Sequence, residues 1–225
     1  MVTEANAIHV RQHGSALAVV EKRVLVWMAE RLPAWINSDH LTLLGFAAML
    51  MAGLAYWLAS RNRLALGLVV IALALNWLGD SLDGTLARVR NRQRPRYGFY
   101  VDHALDLVGT FFLLGGLALS GYMSSFMALG LLVAYLMVSA EEYLATHVQH
   151  VFHLSFLGFG PTELRIILAI GTLYLFHNPW VRVFGIGPFR LFDVGGAIAI
   201  AGLALKLVFS VIRNTRALYL AERLP

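Results

Sequence analysis

Four aspartates, Asp80, Asp83, Asp102 and Asp106, fall within 27 positions of an otherwise apolar stretch. A carboxylate in lipid costs roughly 2.5–3.5 kcal/mol on insertion scales, so four together call for a bound cation. At about 100° per residue, Asp80, Asp83, Gly84, Ala87 and Arg88 share an arc of about 140° on one helix, and Asn76, one turn earlier, falls in the same arc. Gly98, Asp102 and Asp106 share about 80° of a second helix. Each face pairs two carboxylates with residues too small to obstruct a ligand, so two opposed faces would form an all-oxygen cage. Carboxylate oxygens select hard divalent cations, Mg²⁺ or Mn²⁺, before Zn²⁺. The plainer reading is two helices joined by buried ion pairs. Arg88 is the only basic residue on either face, and one guanidinium does not neutralise four acids.

Such a cage suits phosphoryl transfer. Metal ions, two in the expected complement, can bridge the phosphates of a diphosphate and hold the nucleophile and leaving oxygen in line. Gly84 and Gly98 let a nucleotide approach the backbone, and Arg88 directs a positive charge toward a phosphate. One partly buried aspartate is also needed to accept the proton of an attacking hydroxyl.

The pattern Asp80-x2-Asp83-Gly84-x2-Ala87-Arg88-x9-Gly98-x3-Asp102-x3-Asp106 resembles the signature of the CDP-alcohol phosphotransferase (CDP-alcohol phosphatidyltransferase) family, and all eight defining positions match. The resemblance implies Asp80, Asp83 and Asp102 as metal ligands and Asp106 as both ligand and catalytic base. It implies nucleotide contacts from Asp80, Gly84, Ala87, Arg88 and Gly98. It also implies a homodimer of six-helix subunits, each with an N-terminal interfacial helix, that moves a phosphate-linked group from a CDP-linked donor to an alcohol and releases CMP. The family often has Pro-Asn-x-Leu-Thr entering its first span. Here Ser38-Asp39-His40-Leu41-Thr42 takes its place, keeping Thr42 as a nucleotide contact and losing the Pro-Asn.

The elements that must position these residues follow from hydropathy. The 225 residues are 59% hydrophobic and 14% charged, with mean hydropathy +0.68. A soluble domain carries nearer 25% charge, so the expectation is an all-α membrane protein. Residues 1–40 read as a polar tail without a cleavable signal sequence, followed by an amphipathic interfacial helix over Ser15–Leu32. Its apolar stripe is Leu17, Val20, Val24, Trp27, Met28 and Leu32. Residues 41–212 read as a catalytic domain of six spans: Leu41–Ala59, Leu64–Arg88, Gly98–Ser120, Phe126–Thr146, a short one at Thr162–Phe176, and Leu191–Ile212. Residues 213–225 read as a basic C-terminal segment forming a second interfacial helix. Of the Lys and Arg residues near span ends, 13 fall on the side holding both termini and four on the other. The positive-inside rule then makes both termini and the acidic cluster cytoplasmic, in a cell inner membrane. The net charge of +5 is explained by topology and anionic lipid rather than nucleic acid. The chain has no cysteine, so thiolate chemistry is excluded.

Outside the signature, Arg165 lies one turn into the fifth span, where it could bind an acceptor or lipid phosphate or pair with Glu141 or Glu142. Glu142 and His103 are grouped with it as acceptor-site candidates, and Lys206 either snorkels or pairs. His147, His150 and His153 recur every third residue, but a wet interfacial loop suits them better than a transition-metal site. The expected reaction is transfer of a phosphatidyl group from CDP-diacylglycerol to a small alcohol. The Asp102-His103 pair favours an alternative, a CDP-amino-alcohol donor with diacylglycerol as acceptor. A Mg²⁺-dependent intramembrane prenyltransferase and a divalent-cation carrier stand further off. The chain is short for the former, and no second acidic set serves the latter.

Overall fold

The computed structural model describes residues 16–149 and 161–222. Its elements are α1 (Ala16–Arg31), α2 (Ser38–Ala59), α3 (Ala65–Val89), α4 (Pro95–Leu119), α5 (Ser125–Gln149), α6 (Pro161–Leu175), β1 (Trp180–Val183), β2 (Ile186–Arg190) and α7 (Leu191–Ala221). Helices α2, α3, α4, α5 and α7 are long and apolar enough to cross a membrane. Helix α6 has 15 residues, about 22 Å of helix, which is less than the thickness of a bilayer's hydrocarbon core.

Helix α2 is the spine. Its Gly45 lies against α3, where a Cβ added at Gly79 would stand 2.6 Å from the backbone N of Gly45 and from the carbonyl O of Leu41. Two turns on, a Cβ at Gly53 would stand 2.3 Å from the carbonyl O of Phe112 on α4. Glycine at these crossings lets backbones meet, as small residues do between membrane helices. Around them Ala52, Tyr56, Leu66, Val69, Ala72 and Leu117 are buried. Because α2 presses on both neighbours, the acidic ends of α3 and α4 converge over its N-terminal half. The start of α2 is fixed by Asn37, whose side chain accepts from the His40 amide at 3.0 Å while His40 Nδ1 accepts from the Asn37 amide.

Helix α1 packs on the same end of α3, with Leu25 and Ala29 buried among Leu41, Leu82 and Leu86. Glu21 accepts a 2.9 Å hydrogen bond from Trp77 Nε1. The face turned inward is Glu21-Leu25-Ala29, with Met28 and Leu32 of the expected stripe packed beside it, while Val24 and Trp27 of that stripe point outward. An i, i+4 row ending in alanine brings α1 closer to α3 than a row containing tryptophan would. Arg90 ties this region together by donating to the carbonyls of Leu32 at 2.7 Å and Pro33 at 3.1 Å, and also to that of Ile36. One of the five clustered arginines thus holds the α1–α2 turn.

Two further expectations change. The link between α6 and α7 is a two-stranded antiparallel hairpin pairing Trp180 with Arg190 and Val181 with Phe189, so the fold is helical with one small hairpin rather than all-α. Its turn holds Phe184 and Gly185 at φ 50° and 80°, the positive values that tight hairpin turns require. Helix α7 runs unbroken through Arg213 to Ala221, so the basic C-terminal stretch continues the last long helix instead of forming a separate interfacial one. Residues 1–13 of the polar tail and the positions of His150 and His153 lie outside the described residues. His147 is exposed near the end of α5.

Candidate active site

Ligand oxygens of Asp80, Asp102 and Asp106 all lie within 4.8 Å of one another. Asp83 lines the same cavity, together with Thr42, Gly45, Phe46, Met49, Asn76 and Leu105. The opposition of two helical faces expected from the spacing is therefore present, with three carboxylates gathered and the fourth in the same wall. Asp83 is held by its surroundings. Its Oδ2 accepts from Thr42 Oγ1 at 2.6 Å, its Oδ1 accepts from the Gly84 amide, and its backbone carbonyl accepts from Ser38 Oγ at 2.9 Å. The Ser38-Asp39-His40-Leu41-Thr42 stretch is thus the scaffold of the second aspartate, and Asp39 pairs with Arg94 at the start of α4. Thr42, expected to contact a nucleotide, spends its hydroxyl on Asp83.

The remaining signature residues, Gly84, Ala87, Arg88 and Gly98, are not among those lining the cavity. Among the described residues nothing lies within 4 Å of where a Cβ at Gly98 would stand, and the nearest neighbour of a Cβ at Gly84 is the Arg88 guanidinium, at 3.3 Å. Arg88 folds back to donate to Thr85 Oγ1 at 3.0 Å. Ala87 is half-buried. His103 stacks on Phe99 and meets Tyr143 of α5 edge-on at 5.4 Å between ring centres. Its Nδ1 is 3.9 Å from Asp102 Oδ2.

The charge count that left four acids with only Arg88 is answered from outside the signature. Arg165 Nη2 lies 2.8 Å from Asp80 Oδ2, with both side chains largely buried. The expected alternatives for Arg165, Glu141 and Glu142, are engaged elsewhere: Glu142 pairs with Lys206, and Glu141 accepts from Asn214 Nδ2 at 2.8 Å. Glu142 therefore belongs to an α5–α7 contact, which also decides for Lys206 between snorkelling and pairing. Sequence reasoning did not anticipate the Arg165–Asp80 pair, although the unbalanced charge was a signal for some such partner. It also passed over Phe46, Met49 and Leu105, ordinary apolar residues that become cavity walls only once α2 is in place.

The site suits a divalent ion. Three carboxylates gathered this closely are opposed by one guanidinium, which leaves net negative charge and an all-oxygen donor set.

Fold and site together describe a helical membrane protein with an aspartate-lined cavity at one end of its long helices. The chain belongs to the CDP-alcohol phosphatidyltransferase family, whose profile matches residues 35–212. It is 31% identical over 86 residues to an archaetidylinositol phosphate synthase of Pyrococcus horikoshii, a match that spans 38% of this chain and 43% of that protein. The fold is also that of the crystal structure of Mycobacterium tuberculosis phosphatidylinositol phosphate synthase (PgsA1) with CDP-DAG bound, at TM-score 0.57 and 18% identity, covering 88% of this chain and 94% of the other. Family membership sets aside the prenyltransferase and carrier readings.

Proposed function

We propose that this enzyme transfers a phosphatidyl group from CDP-diacylglycerol to the hydroxyl of a small alcohol and releases CMP. The observation that carries the reading is the gathering of Asp80, Asp102 and Asp106 within 4.8 Å in an otherwise apolar set of long helices. Asp80, Asp83, Asp102 and Asp106 would hold Mg²⁺ or Mn²⁺. When bound, the ion supplies charge neutralisation along the diphosphate and lowers the barrier to its cleavage. The chain's own residues do the rest. Gly84, Ala87, Arg88 and Gly98 line the approach for the cytidine and its phosphate. Asp106 accepts the proton of the acceptor hydroxyl as that oxygen attacks the lipid-bearing phosphorus. The bond from that phosphorus to the bridging oxygen breaks, and CMP leaves with the electron pair.

Arg165, on a helix whose start lies beside the acids, is the group suited to an acceptor or lipid phosphate. We assign both termini and the cavity to the cytoplasmic side of a cell inner membrane, on the asymmetry of Lys and Arg. The working form is a homodimer in which α6 completes a sixth span, as the family resemblance implies. A second reading rests on His103 beside Asp102: a CDP-amino-alcohol donor with diacylglycerol as acceptor.

Purified protein given CDP-diacylglycerol, Mg²⁺ or Mn²⁺ and a panel of alcohols should release CMP only with its true acceptor. CMP release from CDP-ethanolamine plus diacylglycerol, and not from CDP-diacylglycerol, would overturn the donor assignment. Asp83→Asn and Asp106→Ala should each abolish transfer while still inserting into membranes. Near-wild-type turnover in either would overturn the carboxylate roles.

A further inference from the structure

Asn76 lies one turn of α3 below Asp80 and is 3% exposed. Its Nδ2 donates to the carbonyl of Gly45 at 3.0 Å. That bond fixes which way the amide faces, because a flipped amide would set its oxygen against another carbonyl. Among the described residues Oδ1 is left buried without a hydrogen-bond partner, and Asn76 lines the cavity that the four aspartates share. A buried acceptor without a donor costs about 1–3 kcal/mol, and buried polar groups in folded proteins almost always find a partner. The cavity's other polar side chains are the four carboxylates and Thr42, whose hydroxyl donates to Asp83, so among the described residues the wall offers this oxygen no spare donor. Four residues of helix separate Asn76 from Asp80 by about 6 Å of rise. That gap suits a water between the amide oxygen and the level of the carboxylates.

We infer that Asn76 is a positioning residue for the divalent-cation site. Its Oδ1 accepts a hydrogen bond from a water in the cation's shell, on the side facing the membrane interior. The inference rests on the metal reading above and deepens it. Mg²⁺ and Mn²⁺ sites of this kind keep waters in their shell, and the groups that orient such shells commonly change affinity 10–100-fold when removed. The Gly45 bond gives the same residue a second task, since it locks the amide at the α2–α3 crossing. One side chain thereby links close packing of the two helices to the direction of the acceptor oxygen.

The probe is Mn²⁺ alone, titrated into the purified full chain and followed by the electron paramagnetic resonance of the free ion. Metal-free melting temperature is measured alongside. Asn76→Leu keeps the volume and removes the oxygen, and is expected to weaken Mn²⁺ binding about tenfold. Asn76→Asp keeps an acceptor oxygen in place and is expected to bind Mn²⁺ at least as tightly as wild type. Wild-type affinity in Asn76→Leu would overturn the inference. So would a tenfold loss in Asn76→Asp, because the residue would then act only through its bond to Gly45. If Asn76→Leu does not fold, the Asp variant decides alone by the same criterion. Failure of the wild-type protein to bind Mn²⁺ at all would overturn the metal reading itself, whereas binding unchanged by these variants would overturn the role of Asn76 only.

Discussion

The guanidinium of Arg165 lies 2.8 Å from a carboxylate oxygen of Asp80, so a cation carried by α6 sits where a metal ligand on α3 is expected. A divalent ion held by Asp80 would compete with this arginine for the same oxygen. Arg165→Ala should therefore tighten Mn²⁺ binding in the absence of substrate, by roughly the several-fold to tenfold that a close charge pair is worth. It should also lower CMP release at least tenfold, because the charge available to a substrate phosphate is gone. Arg165→Lys should restore part of the activity and little of the geometry, since an ammonium lacks the planar fork. Mn²⁺ titration and CMP assays on the three proteins check this, and weaker Mn²⁺ binding by Arg165→Ala would count against competition.

Thr42 acts on Asp83 through a 2.6 Å hydrogen bond. Thr42→Val preserves shape and leaves that carboxylate oxygen free to turn. Groups that orient metal ligands are typically worth 10–100-fold, so kcat with a CDP-lipid should fall by about that range. Thr42→Ser, which keeps the hydroxyl, should stay within a few-fold of wild type. Equal losses in both variants would mean that packing of the threonine methyl, not the hydrogen bond, is what matters.

The carboxylate cage was legible before any coordinates because helical periodicity turns spacing into facing. Asp80 with Asp83, and Asp102 with Asp106, had to share faces whatever else the chain did. The long spans were legible for a similar reason, since hydrophobic length is a local property. What was not legible depends on contacts distant in sequence. The pair Arg165–Asp80 links positions 85 residues apart, and the close approach of Gly45 to Gly79 sets how near the helices come. The hairpin at Trp180–Arg190 was passed over because short strands inside a presumed loop carry only a few residues of pattern. The continuity of α7 past Arg213 was missed because charge marks where a helix leaves the apolar layer, not where it ends.

Gly79→Ala should be severely destabilising. The new methyl would stand 2.6 Å from backbone atoms of Gly45 and Leu41, and backbone cannot swing aside as a side-chain tip can. Overpacking of this kind costs typically 1–3 kcal/mol and occasionally more, and here it would also part α3, which carries Asp80 and Asp83, from α2, whose Thr42 holds Asp83. Gly67→Ala on the same helix meets nothing within 4 Å among the described residues and should be neutral or slightly stabilising, by up to about 1 kcal/mol. Melting temperatures in detergent with and without Mn²⁺ test the contrast. A Gly79→Ala protein with unchanged melting and unchanged Mn²⁺ response would show that the α2–α3 crossing is looser than drawn.

Tyr56 and Thr172 are both fully buried and joined at 2.6 Å between their hydroxyl oxygens. Thr172 Oγ1 donates to the Leu168 carbonyl at 2.7 Å, which makes Tyr56 the donor across the α2–α6 contact. Thr172→Val would strand the tyrosine hydroxyl in an apolar interior, at a cost of about 1–3 kcal/mol. Adding Tyr56→Phe removes the stranded group, so the double variant should recover much of that loss, as expected for residues in direct contact. The pair also anchors α6 two turns beyond Arg165. Thr172→Val should therefore raise KM for the CDP-lipid more than it lowers kcat, because α6 is left less firmly held while Asp80, Asp102 and Asp106, on α3 and α4, keep their arrangement. If stability falls while KM holds, the anchor serves folding alone, and Arg165 must be positioned by its own contact with Asp80.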